Sequence, residues 1–295
     1  MEKAQDKRNY SFRDATGPID YRLTNDYIFK RLLEKNEDVL RELIRAMLHL
    51  KKGEITDLRV INPFMPGDKI TDRSVILDVN VELNHAARID LEMQVVNNFN
   101  WPERSLYYVC RNYLNLVRNE DFDHVAPSWH IGFLDYTLFD SHPSFYATYK
   151  LMDTKDHFVY TDKFSIGVVD LTRIDLASAE DRHYNIDKWA KLFKAKTWED
   201  IKMLAKQDVF FSKAGETYFE ITADEHERQL AEGREVALLL ERGQKRLMKE
   251  LKSDLKNTST KLQRANKRIA EQDRHISEQD KRIAELEALL AQTES

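Results

Sequence analysis

The stretch from Arg73 to Val96, RSVILDVNVELNHAARIDLEMQVV, constrains the fold more than any other part of the chain. Two β-rich runs flank the polar interruption Asn84-His85-Ala86-Ala87, a pattern that predicts a hairpin. Side chains alternate along a strand, so Ile76, Asp78, Asn80 and Glu82 share one face of the first run. Val75, Leu77, Val79, Val81 and Leu83 share the other. In the second run Arg88, Asp90, Glu92 and Gln94 oppose Ile89, Leu91, Met93 and Val95. One apolar core for both runs requires even positions to pair with even positions, because a slip of one residue would turn Glu92 and Gln94 inward. An odd-length loop meets that parity and brings Asp78 near Glu92 and Gln94.

Carboxylates close together on one sheet face repel, and either a shared proton or a divalent cation must offset the repulsion. A hard cation such as Mg²⁺ takes a few carboxylate oxygens and keeps several waters. A solvated sheet face, with Arg88 neutralising its neighbours, is the other reading, and the pattern leaves both open.

Asp78 followed after a turn by Glu92-Met93-Gln94 resembles the PD-(D/E)XK nuclease core in the E-x-Q variant of the Rpn-type recombination-promoting nucleases, also described as PD-(D/E)XK nuclease family transposases. The likeness extends to Asn25-Asp26-Tyr27-Ile28-Phe29-Lys30, to Arg104 with Tyr107-Tyr108, to Phe164 through Leu171 and to Ser212-Lys213-Ala214. It covers roughly residues 20 to 240, and that breadth is more specific than a lone D…ExQ. The resemblance implies a restriction-endonuclease-like α/β fold, a mixed sheet flanked by helices, and Mg²⁺-dependent (or Mn²⁺-dependent) hydrolysis of DNA phosphodiesters. It makes Asp78, Glu92 and Gln94 the catalytic group, with Asp78, Glu92 and the Met93 carbonyl on the metal and Arg104 in the substrate site. Gln94 stands where most of the superfamily has lysine. It can orient a water by hydrogen bonding but brings no positive charge. Arg104 has the guanidinium fork of a phosphate clamp, and equally that of a surface cation paired with a carboxylate. Asp26, at the start of a helix, is either an additional acidic group of the site or a compensation for the helix dipole.

Length and composition set wider bounds. A chain of 295 residues with 42% hydrophobic and 33% charged residues has room for a substantial core in one large domain or two. The single cysteine, Cys110, excludes an internal disulfide framework and a cysteine-based zinc site. Its place in the run Tyr107-Tyr108-Val109-Cys110 predicts a buried small hydrophobe. The opening MEKAQDKRNYSFRDATG lacks the apolar core of a signal peptide, and no stretch is apolar enough to span a bilayer, so a cytoplasmic protein is expected. The net charge of −5 is unevenly spread: from Arg242 to Arg268 there are ten Lys or Arg against Glu250 and Asp254. An acidic body with a basic segment is compatible with DNA as partner, and also with an ordinary solvated helix face.

In chain order, residues 1–18 read as a flexible N-terminus, 19–220 as the nuclease-like domain and 221–295 as a long helix. Thr24 is the expected N-cap of a helix over Asn25–Lys35, and a second helix covers Glu37–Leu50. Ile55–Ile61 is a candidate strand, and Pro63–Asp68 a turn-rich loop. Pro102 starts a helix to Arg118 whose apolar stripe is Leu106, Val109, Cys110, Tyr113, Leu114 and Val117. Trp129–Phe139, Phe145–Met152 and Phe164–Leu171 read as strands, with Tyr146 and Tyr149 packing; Ile186–Phe193 and Trp198–Lys206 read as helices. His130, His142, His157 and His183 show no ligand spacing, and none is assigned to a metal.

RIAEQDR, HISEQDK and RIAELEA repeat in the tail with a period of seven. Placing Leu255, Leu262, Ile269, Ile276, Ile283 and Leu290 at a puts Thr258, Ala265, Gln272, Gln279 and Leu286 at d. The seam is a coiled-coil pattern with polar d layers. Arg268 and Arg282 at g then face Asp273 and Glu287 at e of a parallel partner, which favours a parallel homodimer; a single solvated helix is the alternative. The whole reading is a metal-dependent DNA endonuclease with a C-terminal coiled coil. Its rival is a nuclease-fold protein without activity that serves as an interaction scaffold.

Overall fold

The structure, a computed structural model, describes residues 11–61, 79–113 and 121–293. It divides into two compact units, residues 1–238 and 239–295. The first holds a six-stranded mixed sheet with helices on both faces.

The hairpin organises that sheet. Strands β1 (Leu58–Val60), β2 (Val79–Leu83) and β3 (Ala87–Gln94) form an antiparallel meander. Asn80 pairs with Asp90, Glu82 with Arg88 and Leu83 with Ala87, so the turn holds three residues and even positions face even ones, as the parity argument requires. Asn84 and His85 take left-handed φ values of 53° in that turn, and Asn84 secures it by accepting from the Thr56 and Asp57 amides. From β3 the chain crosses over through helix α3 (Trp101–Tyr113) into the parallel strand β4 (Ser128–Leu134). Strand β5 (Tyr146–Lys150) is an edge, antiparallel to β6 (Phe164–Asp170), which lies parallel to β4; the order is β1-β2-β3-β4-β6-β5.

The odd-numbered face of the sheet carries the main core. Leu91, Met93, Ile131 and Phe133 pack there beneath helices α1 (Asp26–Lys35), α2 (Glu37–Met47), α5 (Ile186–Lys194) and α7 (Val209–Ala223). Phe29, Phe133 and Phe193 meet with ring centroids 5.1–5.4 Å apart, in the tilted and edge-on geometries that aromatic quadrupoles favour. The short helices α4 (Ala179–His183) and α6 (Trp198–Ala205) start at capping boxes, Ser178 with Asp181 and Thr197 with Asp200. Helix α8 (Glu225–Thr293) begins in this unit and runs on into the second, which is helical. Among the described residues no helix is long and apolar enough to cross a membrane.

Several expectations shift at their edges. The N-cap of α1 is Asn25 rather than Thr24: its side chain accepts from the Tyr27 and Ile28 amides while its amide nitrogen donates to the Ala231 carbonyl. Helix α2 ends at Met47, because His49 takes a left-handed φ of 55° and stacks on Tyr184. Tyr146 packs as expected, its hydroxyl donating to the Met47 carbonyl. The largest correction concerns α3, whose buried positions are Trp101, Ser105, Val109 and Asn112, while Leu106 and Cys110 are exposed. The apolar period misleads here because α3 lies on the even-numbered face of the sheet, where Trp101 and Val109 join Leu134, Ile166 and Val168 in a small apolar cluster and Ser105 and Asn112 are buried with them. Leu114 and Val117, the loop Pro63–Asp68 and residues Arg73–Asp78 lie outside the described residues.

Candidate active site

Both faces of β3 are covered, so the two carboxylates of its polar set are buried while Arg88 and Gln94 stay partly exposed. Asp90 and Glu92 are each 2% exposed. A buried carboxylate must find charged or hydrogen-bonding partners, and these two find them on α3 and β4.

The parallel pairing of β3 with β4 puts His130 opposite Asp90. Imidazole Nδ1 and Asp90 Oδ2 are 2.7 Å apart. An ionised carboxylate can only accept at that contact, so Asp90 holds a proton on Nδ1. Nε2 lies 3.6 Å from Glu92 Oε2. The ring is completely buried; Tyr108 stacks on it at 5.4 Å and 5°, and Trp101 packs at 5.2 Å. Trp101 reaches that position because residue 132 is glycine: a Cβ there would stand 2.1 Å from the indole.

Glu92 is held at one oxygen and not at the other. Oε1 accepts from Arg104 Nε at 2.8 Å, from an Arg104 terminal nitrogen at 2.5 Å, and from the Gln94 amide. Oε2 is buried without a hydrogen-bond partner, and His130 Nε2 is likewise unpartnered. Arg104 stands over the Tyr108 ring at 5.0 Å, and its side chain stays 35% exposed. Beyond the end of β4, burial and then the Glu92 charge push the Tyr136 phenol up, with the Arg104 charge pulling the other way. The cluster therefore runs along the second half of β3, from Asp90 opposite His130 to Gln94 at the carboxyl end of the strand.

Of the sequence-predicted residues, Glu92, Gln94 and Arg104 come together. Met93 turns its side chain into the main core, while its carbonyl points to the β2 edge of β3: the Gln94 carbonyl accepts from Asp135 on the β4 side, and successive carbonyls of a strand point to opposite edges. Asp26 lies on α1 under Arg234, whose Nε donates to both carboxylate oxygens at 2.7 and 2.8 Å. Asp78 lies outside the described residues. Sequence reasoning missed Asp90 and His130 as a pair, since only the β3–β4 register joins them. Among the described residues no group of three or more His, Cys, Asp or Glu side chains is placed to hold a metal ion. Glu92 nevertheless presents a metal-type donor, a buried carboxylate oxygen without a hydrogen-bond partner.

The model of the PD-(D/E)XK nuclease family transposases matches residues 23–243. No curated protein and no solved structure matches the chain.

Proposed function

The chain belongs to the PD-(D/E)XK nuclease family transposases, and from that premise we propose that it hydrolyses DNA phosphodiester bonds with a divalent cation, Mg²⁺ or Mn²⁺, held at Glu92. The observation that carries this reading is the half-satisfied Glu92, whose Oε2 is buried and unpartnered at the end of β3. Stability alone gives no reason to bury such an atom, whose desolvation costs about 1–3 kcal/mol or more. The Met93 carbonyl and Asp78, which directly precedes Val79 in the sequence, complete the proposed donor set. Once bound, the cation supplies positive charge to the scissile phosphate and acidifies the attacking water.

The protein's own groups divide the remaining work. Gln94 gives its amide N–H to Glu92, which leaves its carbonyl oxygen to accept from the attacking water and set its direction. Because Gln94 is neutral, the positive charge beside Glu92 comes from Arg104. That guanidinium is partly exposed, so it can exchange Glu92 Oε1 for a phosphate oxygen when DNA arrives. Arg104 would then hold the phosphate while Glu92 Oε2 holds the cation.

The deciding experiment is nicking of supercoiled plasmid. Wild type should nick with Mg²⁺ or Mn²⁺ and not with chelator, Glu92→Ala should lose at least about a hundredfold, and Gln94→Lys should keep or raise the rate. Nicking that survives Glu92→Ala would mark a contaminant. Wild type without nicking under every metal would favour the scaffold reading.

We also propose that α8 pairs with a second copy of itself. Leu255, Leu262, Ile269, Ile276 and Ile283 are all more than half exposed along one seam. In a parallel pair Arg268 and Arg282 meet Asp273 and Glu287, whereas an antiparallel pair would oppose basic g positions to one another. Light scattering should find a dimer for the full chain and a monomer for a chain ending at Leu238; a monomeric full chain at micromolar concentration would exclude it.

A further inference from the structure

His130 has no role in the reading above, yet it is the most constrained polar side chain near Glu92. Its Nδ1 is fixed by Asp90 at 2.7 Å, its ring is stacked by Tyr108, and Nε2 faces Glu92 Oε2 at 3.6 Å. Both facing atoms are buried, and neither has a hydrogen-bond partner. An imidazole nitrogen facing a carboxylate oxygen in a dry interior is costly unless something positive, a proton or a cation, stands between them. The spacing suits that. Ligand atoms each about 2.0–2.1 Å from one ion lie no more than about 4.2 Å apart.

The backing of the ring points the same way. A histidine that binds a metal through Nε2 commonly donates Nδ1–H to a carboxylate, which fixes the tautomer and raises the basicity of the ligating nitrogen. Asp90 supplies that carboxylate, and it is itself 2% exposed with no other described role.

We propose that His130 is a ligand of the same cation as Glu92, through Nε2, with Asp90 as the positioning residue behind it. The inference rests on the nuclease reading and sets an imidazole nitrogen beside the Glu92 carboxylate oxygen. The consequence is selectivity. Nitrogen ligands favour Mn²⁺ and later first-row ions over Mg²⁺, so the site should take Mn²⁺ more tightly than Mg²⁺.

The test is electron spin-echo modulation of protein loaded with Mn²⁺, which detects a nitrogen bonded to the ion without any turnover. Wild type should show ¹⁴N modulation that changes to the ¹⁵N pattern when histidine is ¹⁵N-labelled. His130→Gln should lose the modulation and bind Mn²⁺ on the order of 10–100-fold more weakly, narrowing the gap to Mg²⁺. Asp90→Asn should keep the modulation with weaker binding. Should His130→Gln fail to fold, Glu92→Gln serves instead and should lose the modulation together with the tight Mn²⁺ site. Tight Mn²⁺ binding without nitrogen modulation overturns this inference alone and leaves a proton on Nε2 as what fills the gap. Modulation that persists in both variants assigns it to another histidine and overturns it too. Absence of any Glu92-dependent Mn²⁺ binding overturns both the inference and the metal-dependent reading.

Discussion

Glu227 and Glu92 are both buried carboxylates clasped by an arginine, and they are completed in opposite ways. In the first turn of α8, Glu227 accepts from Arg31 at 2.8–3.2 Å, from the Tyr27 hydroxyl at 2.6 Å and pairs with Lys35 at 3.1 Å. Two turns along, Arg234 reaches both oxygens of Asp26, and the Ala231 carbonyl accepts from Asn25. Every carboxylate oxygen there is engaged, and the result fastens α1 to α8. Glu92 keeps three donors on Oε1 and none on Oε2. A satisfied network fixes a structure; one left open on a single side leaves a buried polar atom at a cost.

The sharpest way to break the comparison is to open the closed network. Burial alone would push the Glu227 carboxyl up, but hydrogen bonds from Arg31, Tyr27 and Lys35, with the Arg31 charge, outweigh it and hold the group at about 2 against an ordinary 4.5. A depressed folded-state pKa contributes stability that is complete above 4.5 and lost as pH falls through about 2. The contribution is at most about 3 kcal/mol. Arg31→Ala should cost roughly 3 kcal/mol in urea melts at neutral pH, the low end for a broken buried pair because Lys35 and Tyr27 still reach Glu227. It should also flatten the loss of stability between pH 4.5 and 2 relative to wild type. A variant as stable as wild type, with an unchanged acid limb, would mean that the clasp fastens nothing.

How far the sequence foretold these two regions depends on the range of the interaction. The hairpin register was legible, since parity and the apolar alternation are local and leave one pairing in which Glu92 avoids the main core. Strands β4 and β6 and helices α5 and α6 were legible for the same reason, to within a few residues. His130 was not, because its chemistry comes from a parallel pairing that sets it beside Asp90, 40 residues earlier. No local spacing encodes that. Asp26 reads as an N-terminal helix charge, and nothing near it in the chain announces Arg234, 208 residues on. The apolar stripe assigned to α3 was the reverse case, a strong local signal overruled by tertiary context. Its target face is part polar and part apolar, so Ser105 and Asn112 go inside with Trp101 and Val109, and Leu106 stays out. Asn112 accepts from the Asn80 amide on β2, a contact that a leucine there could not make.

The smallest expected effect is also the one that sharpens the comparison most. Glu92→Gln keeps the shape of the side chain and an acceptor for Arg104, and it turns the atom facing His130 Nε2 from an acceptor into a donor. Where Nε2 carries no proton, the contact becomes a donor–acceptor one. Against that stands the lost charge opposite Arg104, which is partly exposed and recovers some of it from water. The two terms offset, so urea melts in the absence of metal should move by no more than about 1 kcal/mol in either direction, a normal result where a residue is kept for function at some expense to stability. Glu227→Gln is the control. It removes the charge from a site with Arg31, Lys35 and Tyr27 all donating, and places an amide N–H against at least one donor; it should cost about 2 kcal/mol or more. The ordering of the two variants is the measurement that matters. Should Glu92→Gln destabilise as much as Glu227→Gln, the unpartnered oxygen of Glu92 would be contributing to the fold after all, and the case for a cation at that position would lose its physical footing.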